Sequence, residues 1–229
     1  MKHADIRALT FDVFGTTVDW RGTIAREGRR LGAAKGLQVD WEAVADRWSR
    51  KYVVARSRNG PWRPLDQILH AAGEEILEEF RIQGLTKAER ESWCGLWSRL
   101  DPWPDALPGL KRLKARFLLA ALSNANMALS IALARHANLP WDQVLGPDTV
   151  QVFKPSPRVY CMALRRLGLE GHEVMMVAAH LFDLEAAKAM GFRTAFVSRP
   201  GEEAGDPTKA PYVDLIAADF QDLALQLSR

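Results

Sequence analysis

The sequence predicts an α/β fold in which a parallel sheet with helical crossovers carries an inserted helical domain. Two observations predict it. From residue 107 to the end of the 229-residue chain, short apolar runs alternate with segments of helical spacing, and this alternation is typical of a parallel sheet with right-handed crossovers. About a hundred residues, 20–107, separate the first apolar run from the second, whereas a crossover needs only about a dozen.

The first strand is predicted at residues 6–14, a largely apolar run that ends at Gly15. Later runs of the same kind predict further buried strands, because a strand covered on both faces needs no alternation of polar residues. These strands are predicted at 117–122, 174–178, 194–197 and 213–217. The helices between them are predicted at 127–136, 158–167 and 184–190.

The inserted segment has helical spacing at residues 41–56, 65–82 and 86–100 and no convincing strand pattern. We therefore expect a helical domain over 20–100 and a catalytic core formed by 1–19 and 101–229. Tryptophans are unusually dense in this part of the chain: Trp41, Trp48, Trp62, Trp93, Trp97 and Trp103. A small helical unit has little else to bury, so most of them are expected to fill its core.

Composition excludes several function classes. The net charge is +3, and basic residues alternate with acids along 78–90, which argues against a nucleic-acid-binding face. The two cysteines, Cys94 and Cys161, fall in predicted helices without metal-ligand spacing, so a reducing, cytoplasmic setting is expected. No apolar run approaches the roughly 20 residues that span a bilayer, so we expect no membrane partner. Residues 200–211, rich in Gly, Pro and charge, are predicted to form a surface loop.

Polar side chains follow the predicted strands at the carboxyl edge of the sheet, where parallel sheets bind ligands. They are Asp12 and Thr16 after the first strand, Ser123 and Asn124 after the second, His180 and Asp183 after the third, and Lys154 before the intervening helix. Carboxylates, a lysine and a hydroxyl–amide pair on one rim are typical of a nucleophile with its supporting charges. Each residue taken singly has a structural alternative, such as a turn, a helix cap or a solvated side chain.

These motifs resemble the haloacid dehalogenase (HAD) superfamily over nearly the whole chain. Residues 11–19 (FDVFGTTVD) are similar to its first motif, 122–124 (LSN) to its second, Lys154-Pro155 to its third and Asp183 to its fourth. The resemblance implies a HAD-like fold, with a Rossmann-like core and a helical cap domain inserted after the first strand. It also implies a homodimer.

Two positions distinguish the possible reactions. Phosphatases of the superfamily place an acidic aspartate two residues after the nucleophile and a magnesium-binding carboxylate four residues before the last aspartate; here these positions are Phe14 and Ala179. Displacement of a halide needs neither, because the halide leaves as a stable anion and the attacked carbon is uncharged. The sequence therefore resembles the type II L-2-haloacid dehalogenases, which use no metal, and we expect no cofactor.

The resemblance implies hydrolysis of short-chain 2-haloalkanoic acids through an ester on Asp12. Hydrolysis of that ester needs a base and a stabiliser of the oxyanion. We expect Asp183, with His180, to orient or activate the water, and Lys154 with Thr16 to hold the developing charge, while Ser123 matches a further functional position of the family. His180 stands where the best-known members have asparagine, and its alternative is a loop histidine bonded to a carbonyl.

For the substrate, the resemblance implies contacts from Asn124 and Tyr160, and we expect an apolar lining for the halogen. Candidates for this lining are Phe14, Trp20, Trp62 and Phe182. The substrate carboxylate needs an arginine, which we place at Arg50; other candidates, which can equally be solvated charges, are Arg47, Arg56, Arg58 and Arg63. Two other functions stay open: a Mg²⁺-dependent phosphatase, with the ion on Asp12 and Asp183, and a binding protein that keeps the motifs for structure.

Overall fold

The computed structural model describes residues 5–56, 61–203 and 205–228, with the side chain of Arg56 left outside the description. The strands are β1 (Ala8–Phe11), β2 (Val18–Asp19), β3 (Asp101–Pro102), β4 (Leu118–Leu122), β5 (Gln143–Leu145), β6 (Val174–Ala178), β7 (Arg193–Val197) and β8 (Leu215–Ala217). The helices are α1 (Trp20–Lys35), α2 (Trp41–Arg56), α3 (Leu65–Glu79), α4 (Lys87–Cys94), α5 (Ala106–Lys114), α6 (Met127–His136), α7 (Pro157–Leu167), α8 (Leu181–Ala189) and α9 (Phe220–Leu227).

A six-stranded sheet in the order β5-β4-β1-β6-β7-β8 forms the centre of the core. Each ladder in it is parallel, so the predicted α/β fold is confirmed. β1 lies between β4 and β6, with Ala8 opposite both Leu118 and Val174. Because β1 is buried along its whole length, an uninterrupted apolar run is what its position requires. The carboxyl ends of β1, β4 and β6 therefore meet at the same edge of the sheet.

A separate pair of short antiparallel strands, β2 and β3, joins the sheet to the helical segment between them. Asp19 caps α1 by accepting a hydrogen bond from the Gly22 amide. Thr86 and Glu89 form a capping box at the start of α4, a pairing that satisfies two otherwise unbonded backbone donors. The predicted helix at 86–100 is divided, because α4 ends at Cys94 and a 3-10 turn follows at Leu96–Arg99.

Tryptophans fill the interior of the helical segment. Trp41, Trp48, Trp93 and Trp97 are at most 4% exposed, which confirms the prediction that most of them are core residues. The rings of Trp48 and Trp93 stack at 5.3 Å, and Nε1 of Trp48 donates to the Leu69 carbonyl. Trp62 and Trp103 lie at the margin and are only partly buried.

Both cysteines are free thiols, and they lie in helices, as predicted: Cys94 ends α4 and Cys161 lies in α7. Within the described ranges, no helix combines the length and apolarity that crossing a bilayer requires.

Candidate active site

Asp12 lies just past the end of β1, and its side-chain carboxylate accepts three hydrogen bonds from described residues. Its Oδ1 accepts from Lys154 Nζ at 2.8 Å, and its Oδ2 accepts from Thr16 Oγ1 at 2.8 Å and from Nδ1 of protonated His180 at 3.0 Å. Burial raises the pKa of this carboxyl, but the Lys154 charge and the bond to His180 outweigh burial and hold the pKa well below its ordinary range. Asp12 is therefore an ionised carboxylate in the resting protein.

Lys154 lies between two carboxylates. Its Nζ donates to Asp12, to Asp183 Oδ2 at 2.5 Å and to the Leu122 carbonyl at 2.8 Å. Burial lowers the pKa of this ammonium, but the two carboxylates more than compensate and raise it. The backbone N–H of Lys154 donates to Asn124 Oδ1 at 2.7 Å, so the loop after β4 fixes the lysine in place.

Asp183 has both carboxylate oxygens occupied. One accepts from Lys154 and the other from the Tyr160 hydroxyl at 2.6 Å, and neither Asp183 nor Tyr160 has measurable solvent exposure. Burial, together with the nearby charge of Asp12, raises the pKa of Asp183. Lys154 and Tyr160 thus fix the orientation of the Asp183 carboxylate, and the expected roles of Asp183 in water activation and of Tyr160 in substrate contact stay predictions.

The loop after Asp12 is held by a hydrogen bond within the loop and by one from the residue that follows β6. Gly15 has a φ of +81°, which glycine adopts without steric cost. Thr17 Oγ1 donates to the Asp12 carbonyl, and the Ala179 amide donates to Thr16 Oγ1. On the neighbouring loop, Ser123 Oγ accepts from the Ala125 amide, a turn contact that makes no bond to Asp12.

His180 bridges Asp12 to a residue that the sequence analysis did not single out. Its Nδ1 faces Asp12 and its Nε2 lies 3.1 Å from Glu202 Oε2. Burial lowers the pKa of His180, but hydrogen bonds to both carboxylates outweigh burial and raise it to about 10. Glu202 falls in the segment predicted to be a surface loop, and a loop has no periodicity that could have indicated its position.

A cavity of about 810 Å³ opens between α2, α3 and residues 151–155, and Lys154 lines it. Arg50, Trp62 and Arg63 line it as well. Arg47 and Lys51 also border the cavity, but they are paired with Glu79 and Glu75. Of the other two arginine candidates, the side chain of Arg56 and the whole of Arg58 lie outside the described residues.

Of the apolar candidates, Trp62 lines the cavity, whereas Phe14, Trp20 and Phe182 are not among its lining residues. Phe14 is nearly buried, with its ring edge-on to Trp97 at 5.1 Å, and Trp20 stacks on the same indole at 6.1 Å. Phe182 is exposed, and its ring centroid is 5.6 Å from that of His180. The site residues thus form one charged cluster with an aromatic border, while Arg50 and Trp62 belong to the cavity that reaches the cluster at Lys154.

The donor set around Asp12 favours lysine over a metal ion as the source of positive charge. The Lys154 ammonium lies between Asp12 and Asp183, and Ala179 offers no carboxylate. In the described part of the chain, the grouping with metal-ligand proximity is His70, Glu74 and Cys94 on α3 and α4. There, Glu74 is already paired with Arg90.

Comparisons with known proteins agree with this geometry. The family model described as haloacid dehalogenase-like hydrolase matches residues 6–191. An (S)-2-haloacid dehalogenase of Pseudomonas sp. (strain YL) is 30% identical, over 86% of this chain and 84% of the relative, and (S)-2-haloacid dehalogenase 4A of Burkholderia cepacia is 29% identical, over 86% and 84%.

Solved structures are similar over almost the full length. A crystal structure of an L-2-haloacid dehalogenase has 42% identity and a TM-score of 0.89, over 97% of this chain and 99% of that one. A defluorinating L-2-haloacid dehalogenase has 38% identity and a TM-score of 0.88, over 98% and 96%. The chain therefore belongs to the haloacid dehalogenase-like hydrolases, and within them it is L-2-haloacid dehalogenase-like.

Proposed function

We propose that this protein is a metal-independent hydrolase that cleaves the carbon–halogen bond of short-chain 2-haloalkanoic acids, as an (S)-2-haloacid dehalogenase does. The observation that carries the proposal is the ionised Asp12 carboxylate held by Lys154 Nζ at 2.8 Å, with that ammonium bridging to Asp183. A buried carboxylate with a fixed lysine suits attack on an uncharged carbon. The names of the relatives support the same reaction.

In the first step, an Asp12 oxygen attacks the carbon that bears the halogen, and the halogen leaves with the bonding electron pair. The product is an ester between Asp12 and the alkanoic acid. No acid is required, because a halide is stable without a proton, and Phe14 at the position of the phosphatase acid has none to give.

In the second step, water attacks the carboxyl carbon of the Asp12 ester. Negative charge develops on the Asp12 oxygen that is not alkylated, the carbonyl oxygen of the ester. In the resting protein Lys154 Nζ bonds Oδ1 and Thr16 Oγ1 bonds Oδ2, so either oxygen has a donor in place to stabilise it. Collapse of the intermediate releases the 2-hydroxy acid. We assign proton transfer in this step to His180, whose Nδ1 lies 3.0 Å from Asp12.

The substrate's own carboxylate needs a cationic partner outside the charged cluster. Arg50 and Arg63 line the cavity that ends at Lys154, and Trp62 has a buried indole N–H without a hydrogen-bond partner among the described residues. A haloacid in this cavity would lie beside these residues and next to Lys154, which bonds Asp12. We therefore keep Arg50 and Trp62 as substrate-binding candidates and propose that Asn124, bonded to both Lys154 and Tyr52, contributes at the inner end.

Halide release tests the function. Wild-type protein in EDTA is expected to release halide from chloro- and bromoacetate and from one enantiomer of 2-chloropropionate. Asp12→Asn should lower the rate by several orders of magnitude, as removal of a nucleophile does. Asp46→Asn, at an exposed pair with Arg21 on the helical segment, is the matched control and should retain activity. A folded wild type that releases no halide, or that hydrolyses phosphate esters only with Mg²⁺, would overturn the proposal.

The proposal also covers the domain organisation, the oligomeric state and the cellular location. We propose that residues 20–100 form a cap domain on a core of 1–19 and 101–229, supported by the β2–β3 pair at the junction and by bonds from Asp66 and Tyr52 to the loop after β4. Exposed apolar side chains on α2 and α6, such as Val54 and Ile131, support a homodimer, which sedimentation would test. The free thiols support a cytoplasmic setting.

A further inference from the structure

Glu202 is built into the candidate site although it lies far from the motifs in sequence. Its Oε2 lies 3.1 Å from His180 Nε2, and its Oε1 accepts from Trp20 Nε1 at 2.7 Å. Its side chain is 10% exposed. Both oxygens are thus engaged, and the carboxylate has a fixed orientation toward the imidazole.

Gly15 makes room for this carboxylate. A Cβ at position 15 would lie 2.2 Å from Glu202 Oε2, so only glycine admits Glu202 against the loop after Asp12. Three residues upstream of Glu202, Arg199 anchors the segment through Nε, which donates to the Thr16 carbonyl at 2.8 Å, and through a bidentate pair with Asp105. The 199–203 segment is therefore fixed to the nucleophile loop.

The charged groups that face His180 are Asp12, from the end of β1, and Glu202, from the segment after β7. The charge of Lys154 acts on His180 through Asp12, because Lys154 Nζ bonds the other oxygen of that carboxylate. In the resting protein His180 is an imidazolium between two anions, which is why its pKa is raised to about 10. An imidazolium has no free lone pair and is not a base.

Formation of the ester changes this balance. When Asp12 is alkylated it loses its negative charge, and His180 then has one anionic neighbour, Glu202, instead of two. Since a carboxylate beside an imidazole raises its pKa, removal of one of the two lowers it. The Nδ1 proton can then leave to solvent, while Glu202 keeps the proton on Nε2.

From this arrangement we propose that Glu202 is a positioning residue for ester hydrolysis: it holds the Nε2–H of His180, so that Nδ1 faces the Asp12 ester as proton acceptor for the attacking water. This inference rests on the proposed dehalogenase function. Water gives a proton to Nδ1 as its oxygen bonds to the carboxyl carbon. The same proton passes to the departing alkoxide when the acyl carbon–oxygen bond breaks, and the restored Asp12 acid returns its own proton to Nδ1.

Glu202→Gln keeps the shape of the side chain, removes its charge and leaves one acceptor oxygen where the carboxylate has two, so it cannot accept from Trp20 and His180 on separate oxygens. With 2-chloropropionate, the first turnover should still release halide, because Asp12 and Lys154 are untouched. The steady-state kcat should fall by about 10²-fold or more, the lower end of the range for general-base catalysis. The ester should accumulate on Asp12, visible as added mass on the quenched protein. The acid limb of the kcat–pH profile should move to lower pH, since His180 loses the anion that raises its pKa.

Glu203→Gln is the matched control. Glu203 neighbours Glu202 on the same loop, but its Oε2 accepts from the Leu181 amide and its Oε1 from the Gly205 amide, so Glu203→Gln, like Glu202→Gln, removes a charge and one of two acceptor oxygens. We expect little ester and an unchanged acid limb. Equal ester levels and equal acid limbs in the two variants would overturn the proposal.

A second variant tests the proposal in case Glu202→Gln fails to fold. Trp20→Phe removes the indole donor from Glu202 and keeps the carboxylate, so ester should accumulate to a smaller extent; wild-type ester levels in this variant would count against the proposal. Failure of the dehalogenase function itself would be recognised separately, because wild-type protein would then release no halide at all.

Discussion

Lys154 sets the charge balance of the site, because it is the cation between Asp12 and Asp183. Lys154→Met would leave two buried carboxylates facing each other. We expect the free energy of unfolding to fall by about 3–5 kcal/mol, the cost of breaking a buried ion pair from one side, as measured by urea denaturation at neutral pH. Adding Asp183→Asn to this variant should recover part of the loss, because it removes one of the facing charges.

Lys188→Met is the control for this change of residue type. Lys188 pairs with Asp214 but is 32% exposed, whereas Lys154 is 1% exposed, so solvent screening makes its pair the weaker one and we expect a smaller loss. A loss at Lys154 no larger than at Lys188, or a double variant less stable than Lys154→Met, would contradict the assigned charge balance.

The sequence predicts the position of some site residues and not of others. Asp12, Thr16, Lys154 and Asp183 were predicted to converge because parallel strands end at one edge, and the structure brings them together. Their individual roles stay proposals. Glu202 was not predicted, because only the folded position of the 199–203 segment, held by Arg199, brings its carboxylate to His180.

Among the elements, long buried strands were predictable and short or glycine-rich elements were not. β4 and β6 are apolar along their length and match the predicted segments closely. The edge strand β5 has three residues, too few for a periodic pattern. α1 was missed because its buried face includes Gly28 and Gly32. A Cβ at Gly28 would lie 2.3 Å from the Trp41 ring, so close packing replaces the apolar side chains that indicate a helix.

Arg199 connects three elements, because it follows β7, bonds the loop after β1 and forms a bidentate pair with Asp105 at the start of α5. Its guanidinium also lies over the Phe220 ring. Arg199→Lys keeps the charge but loses the planar fork, so we expect a loss of about 1–3 kcal/mol in urea denaturation. The variant should also have a lower kcat, because both Thr16 and Glu202 are held through this segment.

The control for Arg199 is Arg7→Lys, at an exposed single bond with Glu173. It should change stability by less than about 1 kcal/mol. Equal stability losses in the two variants would show that the bidentate geometry at Arg199 does not connect the elements as argued.

At the scale of the whole molecule, the charged cluster and the cavity have separate roles: the cluster carries the nucleophile, and the cavity carries the candidate arginines for the substrate carboxylate. The cluster holds the carboxylates of Asp12, Asp183 and Glu202 against the cations Lys154 and His180, so it does not by itself attract an anionic haloacid. The cavity supplies cations through Arg50 and Arg63. The arginines of the cavity can attract an anionic substrate, while Asp12, whose charge is balanced by Lys154 and His180, stays ionised.

The paired charges of the cluster also predict how stability depends on pH. His180 has its pKa raised to about 10 in the folded protein, against an ordinary value of 6.5. The stabilisation from its protonated form is fully present below pH 6.5 and is lost as the pH rises to about 10, by up to about 1.4 kcal/mol per pH unit. The difference in free energy of unfolding between wild type and His180→Asn should therefore shrink steadily across this interval. A difference for His180→Asn that stays constant from pH 6.5 to 10 would mean that the imidazole is neutral between its two carboxylates.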